Sequence, residues 1–216
     1  MFKYHRRLLL AAFCACILAA CSQAEDSPAQ SMTDKGPALT DIVLGEADAP
    51  VTLIEYASWT CPACLQFHED VIPMLKSEYI ETGKVRLIFR EFPTPPASLS
   101  VAGFTLARCA GAKNYFTVLD DLFANQTRIL NLIRSGGDVE KAMRDIGAAH
   151  GQSGTSYDAC LQDEAVRSAI IDAVTRGDSE GVTSTPTLFI NGQKVPGFDW
   201  RNADGMRKVL EAALNT

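Results

Sequence analysis

The feature that most constrains this 216-residue chain is a strand that runs straight into a pair of cysteines. Val51-Thr-Leu-Ile-Glu-Tyr-Ala57 is β-rich and almost continuously apolar, the pattern of a central strand buried on both faces. It passes through Ser58-Trp59-Thr60 into Cys61-Pro62-Ala63-Cys64. Leu65, His68, Val71, Ile72, Leu75 and Tyr79 then recur at helical spacing, with a kink predicted at Pro73 and a stop at Gly83. Val85 to Phe92 reads as a second strand, so residues 51–92 make a βαβ unit.

Pro93, Pro95 and Pro96 break the chain, and helical patterns follow without a strand. Ala97 to Ala110 is small and apolar almost all round, as in a buried helix. Tyr115 to Phe123 shows apolar pairs at helical spacing. Val139, Ala142, Met143 and Ile146 fit an amphipathic helix after the break at Gly136-Gly137-Asp138. A further stripe, Ala165 to Val174, ends at Gly177. Strands return at Thr187–Ile190 and Gln193–Val195, joined by Asn191-Gly192, a pair suited to a type I′ hairpin turn. Arg201 to Leu214 reads as a closing helix. The fold class is therefore α/β: βαβ and ββα halves around one sheet, separated by an inserted all-helical domain.

The first twenty residues hold Lys3, Arg6 and Arg7 and no acid; Leu8 to Ala20 is an unbroken apolar run of thirteen. That is too short to span a bilayer and suits a signal peptide. The run ends Leu18-Ala19-Ala20-Cys21, which resembles a bacterial lipobox, with cleavage before Cys21 and lipid on its thiol. Ordinary secretion with cleavage after Ala24 is the alternative. Ser22 after Cys21 resembles an outer-membrane sorting signal. Residues 21–40 are the lipidated cysteine and a polar tether without periodicity, with a reach of roughly 25 Å. Without the leader, 17 basic residues face 26 acidic ones, which argues against a nucleic-acid partner.

Of seven cysteines, Cys14 and Cys16 leave with the signal peptide and Cys21 becomes the anchor. Zinc at Cys61 and Cys64 would need further ligands, and the exported part offers no second CxxC and only His68 and His150. No metal site and no cofactor are expected. A CxxC at a strand-to-helix junction instead has redox chemistry built in. The first thiol lies at a helix N-terminus, where free N–H groups favour a thiolate. Pro62 suits the first helical turn. The second thiol, one turn on, can resolve a mixed disulfide. With Cys61 and Cys64 paired by their motif, Cys109 and Cys160 remain, both on helix-like segments beside apolar residues (Leu106, Leu161). A structural disulfide between them is expected in an oxidising compartment; two separate buried thiols are the alternative.

Over residues 41–214 the chain resembles the DsbA family of thiol:disulfide oxidoreductases, a thioredoxin fold with a helical insertion. The resemblance rests on Cys61-Pro62-Ala63-Cys64, on the helical block, and on Gly181-Val-Thr-Ser-Thr185-Pro186-Thr187 before the hairpin. It implies a first thioredoxin half at 41–95, a helical insertion at 96–179 and a second half at 180–216. It implies that Pro186 is a cis-proline facing the CxxC, and that Thr185 offers its backbone to substrate. It also implies that Glu55 is a buried acid able to relay the proton of Cys64, although a strand glutamate can equally point outward at a sheet edge. The best-known oxidases of the family carry His where this chain has Ala63, which implies a less oxidising pair. Thr185 also occurs in isomerase and reductase relatives.

The implied function is an exported, periplasm-facing disulfide oxidase anchored to the membrane by lipid. Its partners would be exported cysteine-containing proteins and a membrane redox partner. A monomer is expected, since only a short tether precedes the fold. An isomerase or reductase of the same fold is the alternative, as is a copper-binding chaperone using the CxxC, though only Met74 lies close by. A third reading is an inert surface lipoprotein with a vestigial CxxC. His68 reads as structural, and Trp59 as either rim or core.

Overall fold

The computed structural model describes residues 36–216; the leader, Cys21 and Ser22 lie outside them. The first strand, Ile42–Leu44 (β1), has only three residues and carries too little pattern to be read from sequence. Val51–Ala57 (β2) and Val85–Glu91 (β3) pair in parallel, with Val51 opposite Val85 and Glu55 opposite Phe89. Thr187–Ile190 (β4) and Gln193–Lys194 (β5) complete a five-stranded mixed sheet in the order β1-β3-β2-β4-β5. The Asn191-Gly192 turn has positive φ at both residues, 47° and 80°, as its type requires.

The centre of that sheet is β2, as its apolar composition requires. Side chains alternate across it, so Val51, Leu53, Glu55 and Ala57 share one face while Ile54 and Tyr56 share the other. Glu55 therefore stands in the middle of the sheet and not at an edge, with 3% of its surface exposed.

The helix after the CxxC is broken in three: Pro62–Asp70 (α1), Ile72–Leu75 (α2) and a π-helical turn at Lys76–Ile80. The break falls at Val71, two residues before Pro73, because the ring of a helical proline collides with the carbonyl one turn back. With Trp200 in the 3-10 turn Asp199–Arg201 and the closing helix Ala203–Leu214, these segments bury Phe67, Val71, Leu75, Met206 and Leu210 against Leu53, Leu87 and Ile190.

Between β3 and β4 lie five helices: Ala97–Cys109 (α3), Tyr115–Ser135 (α4), Val139–Ala149 (α5), Thr155–Leu161 (α6) and Glu164–Ser179 (α7). The closing helix is α8. About three turns longer than its clearest apolar pairs suggest, α4 stops at Gly136, whose φ of 70° suits glycine. Asp138 and Asp163 cap α5 and α7 by accepting from backbone N–H groups. With only Tyr157 and Cys160 buried, α6 has too short a stripe to show a period. A second core joins the block to the sheet, from Phe89 and Trp59 to Phe104, Tyr115, Leu122 and Ile170.

A polar tie also joins the insertion to β3. Arg108 of α3, almost wholly buried, makes a two-pronged ion pair with Glu91 of β3, both contacts at 2.7 Å. Tyr115 adds a hydrogen bond to Glu91 at 3.0 Å, and Arg108 also donates to Ala38 O and Thr40 O. Beside it, Cys109 at the end of α3 is bonded to Cys160 of α6, with Cα atoms 6.0 Å apart. No helix among the described residues is long and apolar enough to cross a membrane.

Candidate active site

The turn between β2 and α1 is held before its chemistry begins. Ser58 Oγ lies 2.9 Å from Thr60 Oγ1 and 2.8 Å from Ser100 Oγ, and it accepts from the Thr60 and Thr94 amides. Trp59 is fully buried, donates Nε1 to Ser100 O at 2.9 Å, and seats against Gly103 of α3. A side chain on that glycine would lie 2.3 Å from Trp59 Nε1. Trp59 is thus a core residue joining the turn to the insertion.

Cys61 occupies the N-cap of α1 in extended geometry (φ −86°, ψ 121°), with Pro62 in the first turn. Its carbonyl accepts the Cys64 and Leu65 amides, both at 3.1 Å. Cys61 is partly exposed and Cys64 fully buried; both are free thiols. The Cys64 thiol, hydrogen-bonded to Cys61, is the largest influence holding the Cys61 pKa down from 9.0 to about 5. Burial opposes it; Thr185 and the amides of Cys64 and Ala63 add to it. The thiolate is therefore stabilised without the histidine that Ala63 replaces. Cys64 is pushed far the other way, first by burial, then by its hydrogen bond to Cys61 and the charge there. One cysteine can carry charge at the surface while the other holds its proton below.

Thr185 and Pro186 arrive from the far half of the chain. Cys61 Sγ lies 3.5 Å from Thr185 O, and the Thr185–Pro186 peptide bond is cis. Pro95–Pro96 is cis as well, which nothing in the sequence pattern singles out. Glu55 lies on the face of β2 beneath α1 and has no hydrogen-bond partner among the described residues. Burial alone lifts its pKa from 4.5 to about 8, and its charge is among the influences on Cys64. Glu55 also lines a narrow cleft with His68, Lys76, Phe116 and Asp120. His68 stacks on Phe123 with ring centres 4.4 Å apart and contacts Asp120 at 3.2 Å. Met74 is buried, and among the described residues no three His, Cys, Asp or Glu side chains gather as a metal site.

Sequence reasoning missed Gln126. Its Nε2 donates to Trp59 O at 2.6 Å and Cys61 O at 3.0 Å, from α4 to the active-site turn. The available signal was its place on the apolar stripe of α4, four residues after Leu122 and three before Ile129.

Comparison with known proteins agrees with this geometry. A Rickettsia bellii protein named "Putative protein-disulfide oxidoreductase" is 30% identical over 179 residues, covering 81% of this chain and 66% of that protein. The chain spans 66% of that relative's length, just under two thirds, and 60% of that of a similar Rickettsia conorii protein. Wolbachia pipientis alpha-DsbA1 superposes with a TM-score of 0.71 at 27% identity, covering 83% of this chain and 93% of that one. Oxidised BdbD of Bacillus subtilis, at 20% identity and a TM-score of 0.66, covers 86% of this chain and 99% of its own and shares the fold. The sequence profile of the thioredoxin family matches residues 38–212, and with DsbA proteins as structural neighbours the chain belongs to the thioredoxin family, in its DsbA-like form with a helical insertion.

Proposed function

We propose that the chain is an exported thiol:disulfide oxidoreductase acting on cysteine-containing proteins, in the direction of disulfide formation. The observation that carries this is the asymmetry of one cysteine pair: an acidic, accessible Cys61 above a buried, proton-holding Cys64. In the oxidised enzyme a substrate thiolate attacks Cys61 Sγ. The Cys61–Cys64 bond breaks and a mixed disulfide forms. The electron pair goes to Cys64, which takes a proton from Glu55. A second substrate thiolate then attacks the substrate sulfur of the mixed disulfide, and Cys61 leaves as a thiolate. The substrate loses two electrons and the enzyme gains them. Stabilising the Cys61 thiolate stabilises the reduced enzyme, so the pair draws electrons from substrates.

Thr185 gives substrate a backbone partner beside the attacked sulfur, as an added antiparallel strand. Glu55, held near pH 8, can give and take a proton around neutrality and exchange it through the cleft toward His68 and Asp120. The Cys109–Cys160 bridge has a structural role, clamping α3 to α6. The basic, apolar leader supports export, and Leu18-Ala19-Ala20-Cys21 followed by Ser22 supports a lipid anchor facing the periplasm. A membrane partner reoxidises the pair, and the enzyme works as a monomer.

Equilibrating the Cys61/Cys64 pair against glutathione, alongside oxidative refolding of a reduced protein, tests this reading. The expected result is a pair that is reduced by glutathione and speeds disulfide formation. A pair that stays oxidised in a reducing glutathione buffer and forms no mixed disulfide with substrate would overturn it.

A further inference from the structure

We propose that Gln126 is a positioning residue of the redox pair, through which the helical insertion sets how well Cys61 bears a negative charge. This rests on the thiol–disulfide reading above. Gln126 has only 2% of its surface exposed, among Leu119, Leu122, Phe123 and Ile129 on the buried face of α4. A buried amide must find partners. The side-chain nitrogen has two hydrogens, and its two contacts are both backbone oxygens of the active-site turn, those of Trp59 and Cys61.

The two oxygens lie either side of Thr60, so one side chain fixes both ends of the turn. Cys61 O is also where α1 begins, since it accepts the Cys64 and Leu65 amides. Setting the direction of this carbonyl sets the direction of the first helical turn. The Ala63 and Cys64 amides that reach the Cys61 sulfur belong to that turn. A second effect has the same sign. Carbonyl oxygens near a thiolate disfavour its charge, and an amide donor placed on them offsets their negative potential. The serine and threonine cluster of Ser58, Thr60, Thr94 and Ser100 holds the turn from another side. Loss of Gln126 should therefore misplace the first turn of α1 without dismantling the loop.

Gln126→Met keeps the bulk of the side chain and removes both donors. Gln126→Glu keeps the shape and turns an acceptor toward two carbonyls. Leu122→Ala, one turn away on the same face, is the control for a merely structural loss. The readouts are Cys61 thiolate absorbance against pH and the equilibrium constant with glutathione. For Gln126→Met we expect the Cys61 thiolate to hold its proton at least threefold more tightly. The glutathione equilibrium should move by at least the same factor toward the oxidised pair. Gln126→Glu should move both further at neutral pH and recover in part as it protonates. Leu122→Ala should lower stability and leave the Cys61 titration in place.

A folded Gln126→Met with an unchanged titration and equilibrium overturns the proposal, while exchange by the unmodified chain leaves the functional reading standing. If Gln126→Met does not fold, the unmodified chain still decides. The Gln126 side-chain amide resonances must move as Cys61 titrates, and resonances that ignore the titration overturn the proposal.

Discussion

Replacing Glu55 by Gln tests the buried acid through stability as well as rate. The carboxyl titrates at about 8 in the fold and at 4.5 in the unfolded chain. Between those values the folded state holds a proton that the unfolded state has released. The contribution is therefore fully present below pH 4.5 and is lost as pH rises through 8. At 1.36 kcal/mol per pH unit the interval corresponds to about 3–5 kcal/mol, with relaxation and water entry bringing it toward the lower figure. The oxidised protein isolates this effect, because Cys61 and Cys64 then do not titrate. In the reduced protein Cys61 acts with the opposite sign. Its pKa falls from 9.0 to about 5 on folding, so its contribution is present above pH 9 and lost as pH falls through 5. Cys61 is partly exposed, so solvent screening makes this contribution smaller than the interval alone implies.

Denaturant unfolding of the oxidised protein at half-unit steps from pH 5 to 8.5 is the assay. Wild type should lose about 3 kcal/mol or more across this range, and reduced wild type distinctly less. Oxidised Glu55→Gln should be nearly flat over the same range and more stable than wild type at pH 8.5. Without a proton donor for Cys64, opening of the Cys61–Cys64 bond by a small thiol should also slow at least about tenfold at pH 7. Oxidised wild-type and variant curves that stay parallel within about 1 kcal/mol would refute the reasoning, because a buried, strongly perturbed carboxyl has to appear in this difference.

Three further outcomes are expected. Cys61→Ser should abolish exchange with substrates, and the wild-type thiolate absorbance should rise with a midpoint near 5; exchange surviving in the variant would move the nucleophile elsewhere. Removing the Cys109–Cys160 bridge, which closes 51 residues, should cost about 4 kcal/mol by the chain-entropy argument, read from denaturant midpoints of the double Ala variant. Gly103→Ala should destabilise the protein by about 1–3 kcal/mol, although alanine is the better helix former, because its Cβ would meet the buried Trp59 ring at 2.3 Å; a more stable variant would mean that Trp59 shifts freely.

The parts of the molecule that were legible in the sequence are those whose causes lie close together along the chain. The strand, the CxxC, the proline at the start of α1 and the Asn-Gly turn each depend on a few neighbouring residues. So does the sequence of halves and insertion, because helical and strand periods differ over any window of ten residues. The three residues of β1 are too few to carry a period, and its place beside β3 rests on pairing with a strand more than forty residues away. Glu55 shows the same limit in chemical form. An acid in an apolar strand is a surface residue at a sheet edge and a proton store at a sheet centre, and the difference lies in the strand order, with β3 on one side of β2 and β4 on the other.

The insertion extends this argument from fold to function. Its apolar stripes could be read from period alone, yet what it does at the site depends on residues that interrupt or end those stripes. Gln126 spans 65 residues to reach Cys61 O, and Arg108 reaches back 17 residues to Glu91 and 70 to Ala38. Each is a polar group inside a core, stable there only because partners from the thioredoxin halves complete its hydrogen bonds. At these two positions a polar residue on an otherwise apolar stripe marks where the insertion meets the rest of the molecule. In this chain Gln126 leads to the turn that carries Cys61, and Arg108 leads to the end of β3 opposite Ala57, the last residue of the strand before that turn; on the reading proposed above, the helices between the two halves therefore support that turn and do not merely cover it.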